Sequence, residues 1–302
     1  MHNDNKKQVE KTSLHPRNKH RERYDFLKLV NLHPDLEKFI IQTEYNTESI
    51  DFFNPKAVIA LNTALLKFYY GLNYWEFPAN YLCPAIPGRV DYIHYLADLL
   101  NEKISDKIIK CLDIGTGANC IYPILGNLEY GWNFVASDID KNAIEAAQNI
   151  LGKNKNLIIN SSIELRLQLN KFAIFAGIIQ KNEYFHCSMC NPPFHESAEK
   201  AISVSERKVR NLKKTDIKNI TLNFGGKANE LWCEGGERQF LTNMITESAL
   251  FANNVGWFTT LVSKQQNVLP AIELMKKNDV KEYRTVPMMQ GNKISRFIAW
   301  RY

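Results

Sequence analysis

The chain has 302 residues, is 45% hydrophobic and 23% charged, and carries a formal net charge of +6. That composition is ordinary for a globular protein of one large or two typical domains, and no apolar run approaches the roughly 18 residues that a membrane span needs. The polar N-terminus lacks the apolar core of a secretion signal, so a cytoplasmic location is expected, and the basic balance suits an anionic partner such as nucleic acid.

Residues 1–23 carry Lys6, Lys7, Lys11, Arg17, Lys19, Arg21 and Arg23 and read as a basic, mobile arm that a partner orders. Residues 24–106 are expected to form a helical extension. Phe26, Leu27, Leu29, Val30 and Leu32 give one amphipathic segment, and Pro55 suits the first turn of a helix through Leu66. A proline-rich loop from Pro78 to Gly88 precedes a helix from about Val90 to Lys103, with Tyr92, Leu96, Leu99 and Leu100 inward.

From residue 107 to 302 strands alternate with helices. Strands are expected at Ile108–Ile114, Asn133–Asp138, Leu157–Ile159, Tyr184–Cys190 and Gly256–Val262, then at Tyr283–Val286 and Arg296–Trp300. Helices are expected over Asn142–Leu151 and through Ile272, Leu274 and Met275. This is an α/β fold, a mostly parallel Rossmann-like sheet with an antiparallel C-terminal hairpin at one edge. The six cysteines show no disulfide framework. Cys187-Ser188-Met189-Cys190 lacks the second ligand pair that zinc would need, and its thiols are expected in the core.

Asp113-Ile114-Gly115-Thr116-Gly117-Ala118-Asn119 lies where the first strand passes to its helix. Gly115 and Gly117 permit a tight turn and close approach of a ligand, but Cys120 stands where a dinucleotide fingerprint has its third glycine. Asp138, about 20 residues on, ends the second strand, where a carboxylate can accept hydrogen bonds from ribose hydroxyls. A donor with a ribose and no phosphate, S-adenosylmethionine, fits this pattern. Asn191-Pro192-Pro193-Phe194 ends the fourth strand abruptly, since two prolines remove two donors and fix two φ angles. The turn offers carbonyl acceptors beside an aromatic ring, which suits a planar amino group. A second basic run, Lys200 to Lys218, follows it and suits a phosphate backbone.

The glycine turn together with Asn191–Phe194 resembles class I S-adenosylmethionine-dependent methyltransferases acting on planar amino nitrogens. Leu14–Asn18, Ser49–Phe52, Cys83–Arg89, Cys190–His195 and Leu231–Glu237 further resemble the RlmF family, bacterial 23S ribosomal RNA adenine-N6 methyltransferases. The resemblance implies methylation of one adenine, the family's usual target being position 1618. It implies cofactor contacts from Arg89, Asp113, Gly115, Gly117, Asn119, Asp138 and Asn191, although many relatives carry serine in place of Asn119. Asn191, Pro192, Pro193 and Phe194 are the expected catalytic set. The Asn191 oxygen and Pro192 carbonyl would take the amino hydrogens, and Phe194 would stack on the base. The expected partner is 23S ribosomal RNA, naked or in an assembly intermediate, met by a monomer without metal or membrane. DNA-adenine or protein-glutamine N5 methylation, and a non-catalytic RNA-binding assembly factor, are the alternatives. His195 reads as a loop residue. Gly225-Gly226 and Gly235-Gly236 suggest a lid around Trp232, whose ring either stacks on RNA or packs into the core; Asp51-Phe52 and Tyr81 read as core or cap.

Overall fold

The computed structural model describes residues 14–101, 108–158, 162–193, 195–196, 232–290 and 293–302. Helix α1 (Phe26–Leu32) starts at Asp25, whose carboxylate accepts the Lys28 N–H, and α2 (Pro55–Tyr70) starts at Asn54, which accepts from Lys56 and Ala57. Such caps satisfy first-turn donors that have no partner within the helix. Helix α2 stops at Gly71, whose φ of +69° lets the Gly71 and Leu72 N–H groups return to the Lys67 and Leu66 carbonyls. Between the helices lie a 3-10 turn at Pro34–Phe39 and a two-stranded hairpin, β1 (Ile40–Gln42) and β2 (Glu48–Ile50). The extension is therefore not wholly helical, as apolar spacing had suggested; three-residue strands are too short to display an alternating pattern. Phe26, Leu29, Leu36, Ile50, Leu61 and Leu65 form its own small core. Asp51 and Phe52 are both exposed, while Tyr81 is buried.

Helix α3 (Ile86–Asn101) begins four residues before the expected Val90, because Pro87 sits in the first turn, where its missing N–H costs nothing. The expectation of a mobile segment through residue 23 fails for its described part, much of which docks on α3. Asn18 is buried and donates to Asp91 Oδ1 (2.5 Å) and the Pro87 carbonyl (2.9 Å), and the His15 N–H also reaches Asp91 Oδ1 (3.1 Å). His20 is fully buried against the Tyr70 hydroxyl (3.1 Å). Arg17 pairs with Asp98 (2.5 Å) and Lys19 with Glu129 (3.0 Å), so two of the arm's cations are engaged within the protein. Composition reports polarity and not whether polar groups meet water or one another. Lys6, Lys7 and Lys11 lie outside the described residues.

The main sheet comprises β3 (Lys110–Ile114), β4 (Asn133–Asp138), β5 (Ile163–Leu167), β6 (Phe185–Cys190), β7 (Val255–Leu261), β8 (Glu282–Gln290) and β9 (Lys293–Arg301). Their order is β5-β4-β3-β6-β7-β9-β8, with β9 antiparallel to both neighbours and the other pairings parallel. Helices α4 (Ile121–Tyr130), α5 (Lys141–Lys153), α6 (Gly236–Ser248) and α7 (Val268–Lys277) complete the described elements. Cys111, Phe134, Cys187, Met189 and Phe297 pack toward α3 and α4; Leu112, Val135, Cys190, Phe258 and Trp300 pack toward α6 and α7. The two thiols of the Cys-x-x-Cys run thus fall on opposite faces.

Two expectations require correction. The third strand does not include Leu157 and Ile158, whose N–H groups close back on the Asn154 carbonyl, and the edge strand is β5; Ile159 lies outside the described residues. Arg166 of β5 is held by Glu164 (2.8 Å) and Glu183 (2.6 Å). Gly235-Gly236, expected in a loop, open helix α6, with φ of +72° and +62°; the rest of the expected lid, with Gly225-Gly226, lies outside the described residues.

Replacing Asn18 by Ala would leave the Asp91 carboxylate, 2% exposed, with the His15 N–H as its remaining described donor. Loss of a buried bond to a charged group costs about 2 kcal/mol. The expected outcome is a lower urea midpoint with an unchanged slope, which equilibrium unfolding measures.

Candidate active site

In the parallel pairing of β3 with β6, Ile114 stands opposite Cys190, so the two strands end level. The turns that follow, Gly115–Gly117 and Asn191–Pro193, share the wall of one cavity of about 930 Å³. It lies at the carboxyl ends of the strands where the sheet order reverses, the usual ligand crevice of open α/β sheets.

The glycine turn is fastened to β4. The Gly115 and Thr116 N–H groups both donate to the Ser137 carbonyl (2.9 Å each), with Gly115 at φ +74°. Gly117, at φ +67°, donates its N–H to Asp138 Oδ2 (2.9 Å), and Asp138 Oδ1 accepts from Asp140 (2.9 Å). Each carboxylate oxygen keeps a second lone pair while the group is fixed at the end of β4. Cys120 takes φ +50°, a left-handed conformation where the missing third glycine would stand. Asn119 lines the cavity, but its amide is already engaged: Nδ2 donates to the Leu82 carbonyl (3.1 Å) and Oδ1 accepts the Ile121 N–H (3.1 Å). Its side chain braces the wall and the start of α4.

Asp113 is fully buried, and among the described residues neither carboxylate oxygen has a hydrogen-bond partner. Burial pushes its pKa up to about 7; the nearby Thr116 hydroxyl opposes this, Asp138 adds to it, and Arg89 opposes it. Burial likewise raises Asp138. Arg89 lines the cavity and donates to the Tyr122 hydroxyl (2.7 Å). The wall therefore presents Asp138, Asp140 and Glu234 against Arg89 and Lys171, an excess of acid, with Asp113 buried just behind Ile114 and Gly115. Such a wall opposes a pyrophosphate and suits a ligand carrying positive charge and a ribose. S-adenosylmethionine, with its sulfonium and ammonium, fits these residues.

On the other side, Asn191 and Pro193 line the cavity; Pro192 is buried and is not among the lining residues. The Asn191 Oδ1 is shielded from water and has no hydrogen-bond partner among the described residues. Phe194 lies outside the described residues, as does the basic run from Lys200 to Lys218. His195 forms a bridge with Trp232, and the Cys233 N–H donates to the His195 carbonyl (3.1 Å). Among the described residues no group of three His, Cys, Asp or Glu is placed to hold a metal ion, and no helix is long and apolar enough to cross a membrane.

Several contributors were not visible in the sequence. Tyr81 donates to Asp140 Oδ2 (2.7 Å) in the wall. Fully buried Glu237 of α6 accepts from Ser263 (2.6 Å), Lys264 (3.1 Å) and Asn267 Nδ2 (2.6 Å), tying α6 to the loop after β7. Glu247 accepts three consecutive N–H groups, Ile174 (2.8 Å), Phe175 (2.9 Å) and Ala176 (2.8 Å), holding the loop that brings Ala173 and Ile174 to the cavity. A glutamate that binds backbone N–H groups far along the chain leaves no local pattern.

The strand order, the glycine turn after β3 and the acid that ends β4 beside it in one cavity define a class I S-adenosylmethionine-dependent methyltransferase. The chain matches a family described as RNA methyltransferase over residues 8–302. It is 52% identical to a ribosomal RNA large subunit methyltransferase F of Bacteroides fragilis, covering 97% of this chain and 100% of that protein. The Pseudomonas syringae protein of the same name is also 52% identical, over 97% of this chain and 90% of its own length. This chain belongs to the ribosomal RNA large subunit methyltransferase F family. Among solved structures, the human METTL16 catalytic domain in complex with MAT2A 3′UTR hairpin 1 superposes with a TM-score of 0.79 at 28% identity, covering 96% of this chain and 95% of that one. The N-terminal domain of human METTL16 in complex with SAH gives 0.75 at 26% identity, over 95% and 98%.

Asp113 makes stability depend on pH. Its folded pKa, about 7, lies above the ordinary 3.8, so the folded state holds the proton more tightly than the unfolded chain. That contribution is complete below about pH 4 and is lost as pH rises through 7, up to roughly 4 kcal/mol by linkage. Urea unfolding at pH 5 and pH 8 should show a smaller loss in Asp113→Asn than in the wild type.

Proposed function

We infer that this chain transfers a methyl group from S-adenosylmethionine to the exocyclic N6 of one adenine in 23S ribosomal RNA, with position 1618 as the family's target. The observation that carries the chemistry is the unpartnered Asn191 Oδ1 in the same cavity wall as the Gly115–Gly117 turn. Membership of the family favours ribosomal RNA over DNA or a protein glutamine. On this reading the enzyme works in the cytoplasm, as a monomer and without a metal.

S-adenosylmethionine supplies an electrophilic methyl group on its sulfonium. Asp138 would hold the ribose hydroxyls, the Gly115–Gly117 backbone would let the donor approach the strand end, and Arg89 and Asp113 would receive its charged amino-acid end. Asn119 would act through the wall it braces. Adenine N6 is a poor nucleophile because its lone pair is spread into the ring. Accepting one amino hydrogen at Asn191 Oδ1 and the other at the Pro192 carbonyl would turn that lone pair out of the ring. Orientation of this kind, rather than acid-base help, contributes most of the acceleration. The methylated amino group is strongly acidic as it forms and loses its proton to water, so no dedicated base is needed. Pro193 keeps the turn rigid and Phe194 would stack on the base. The base must leave its own stack to arrive, which favours a loop or single-stranded site.

Asn191→Ala should reduce methyl transfer at least a thousandfold while leaving S-adenosylhomocysteine affinity within about threefold, as calorimetry and radiolabelled transfer would show; unaltered turnover would remove the amino-group contact. Asp138→Ala should weaken cofactor affinity tenfold or more, and unchanged affinity would remove Asp138 from the ribose role.

A further inference from the structure

Trp232 has no part in the chemistry so far, yet its position is closely determined. It lines the cavity with Asn191 and Pro193, and its backbone is bridged to His195 four residues beyond Asn191. Behind it the chain turns through Gly235 and Gly236, both left-handed, and a Cβ on Gly236 would lie 2.6 Å from Glu196 Cγ. The approach of the Trp232 segment to the Asn191 loop therefore depends on glycine at 236.

The indole Nε1 of Trp232 is shielded from water and has no acceptor among the described residues. Two other indoles of this chain are satisfied: Trp75 donates to the Asn119 carbonyl (3.0 Å) and Trp300 to Ser248 Oγ (2.9 Å). A buried donor left unpaired is costly, and an indole offers a donor only. The same cavity wall holds an unpaired acceptor, Asn191 Oδ1. One donor and one acceptor is the complement of an adenine edge, on which the amino group is flanked by the ring acceptors N1 and N7.

We propose that Trp232 determines base specificity by donating its Nε1–H to a ring nitrogen flanking the amino carbon of the target adenine, while Asn191 Oδ1 accepts the amino hydrogen. The inference rests on the adenine reading given above and adds the residue that recognises the ring. Guanine presents a carbonyl where adenine has its amino group, so Asn191 Oδ1 would face a second acceptor. Shielded groups of this kind discriminate most strongly, because a wrong base leaves them unpaired.

The experiment uses the full chain, S-adenosylmethionine and ligated 23S RNA bearing adenine, 1-deazaadenine or 7-deazaadenine at the target. Each analogue replaces one ring nitrogen by C–H. Wild-type kcat/KM should fall roughly ten- to a hundredfold on one of the two analogues. Trp232→Phe should be slower on adenine by a similar factor and should no longer distinguish that analogue from adenine. Equal sensitivity of both enzymes to each analogue would overturn the proposal, as would a wild type that methylates all three RNAs alike. Binding of S-adenosylhomocysteine by Trp232→Phe verifies its fold. If it fails to bind, 3-benzothienylalanine at position 232, an isostere lacking the N–H, replaces it with the same expected and overturning results. A wild type inactive on unmodified RNA, both naked and in precursor particles reconstituted with it, would overturn the adenine reading itself, and this inference with it.

Discussion

The level ending of β3 and β6 is the constraint on which the site depends. Because Ile114 and Cys190 are register partners, the residues that follow them leave the sheet side by side from strands about 4.8 Å apart. A one-residue slip of β6 would exchange its faces, sending Cys187 and Cys190 into each other's cores and separating the Asn191 turn from Gly115. The register is itself secured from the α3 side of the sheet. Tyr92 of α3 shares a hydrogen bond with Thr259 of β7 (2.7 Å), and Thr259 in turn donates to the Ser188 carbonyl of β6 (2.8 Å). Packing of the helical layer thus fixes, through two hydroxyls, where the acceptor turn begins.

Around this frame the cavity is built largely from polar groups that the protein leaves incomplete. Among the described residues Asn191 Oδ1 and Trp232 Nε1 in the wall, and Asp113 behind it, lack partners, whereas Asp138, Asn119 and Tyr81 are pinned by theirs. The division is physically coherent. Pinned groups set the shape of the wall, and unpaired ones carry a desolvation cost that only an incoming ligand of matching polarity relieves. Stability is given up locally for complementarity to a ligand, and Cys120 in its left-handed conformation adds backbone strain at the same turn.

The central strands were legible because β3, β4, β6 and β7 are apolar runs buried on both faces, ending at Gly115, Asp138, Asn191 and Val262. Edge strand β5 was missed because Ile163-Glu164-Leu165-Arg166-Leu167 alternates and is half exposed, so the shorter apolar run Leu157-Ile158-Ile159 drew attention instead. Helix α6 was missed because two glycines at its start look like a hinge, and only the fixed approach to Glu196 explains them. The glycine turn, Asp138 and Asn191 could be found from spacing, since their chemistry depends on strand ends. Glu237, Glu247, Tyr81 and the docking of Asn18 could not, since each acts on a partner 59 to 73 residues away or through backbone atoms.

The placement of β9 has a consequence for synthesis. It follows β8 in the chain yet lies between β7 and β8 in the sheet. Until residues 293–301 have been translated, β7 presents an open edge with Trp257 and Phe258 beside it, and β8 has no strand to pair with. The parallel half of the sheet can assemble as it emerges, but the nascent protein carries an aggregation-prone edge until β9 has emerged. Prematurely terminated chains would retain that edge, making them ready substrates for chaperones and proteases rather than partly active enzymes.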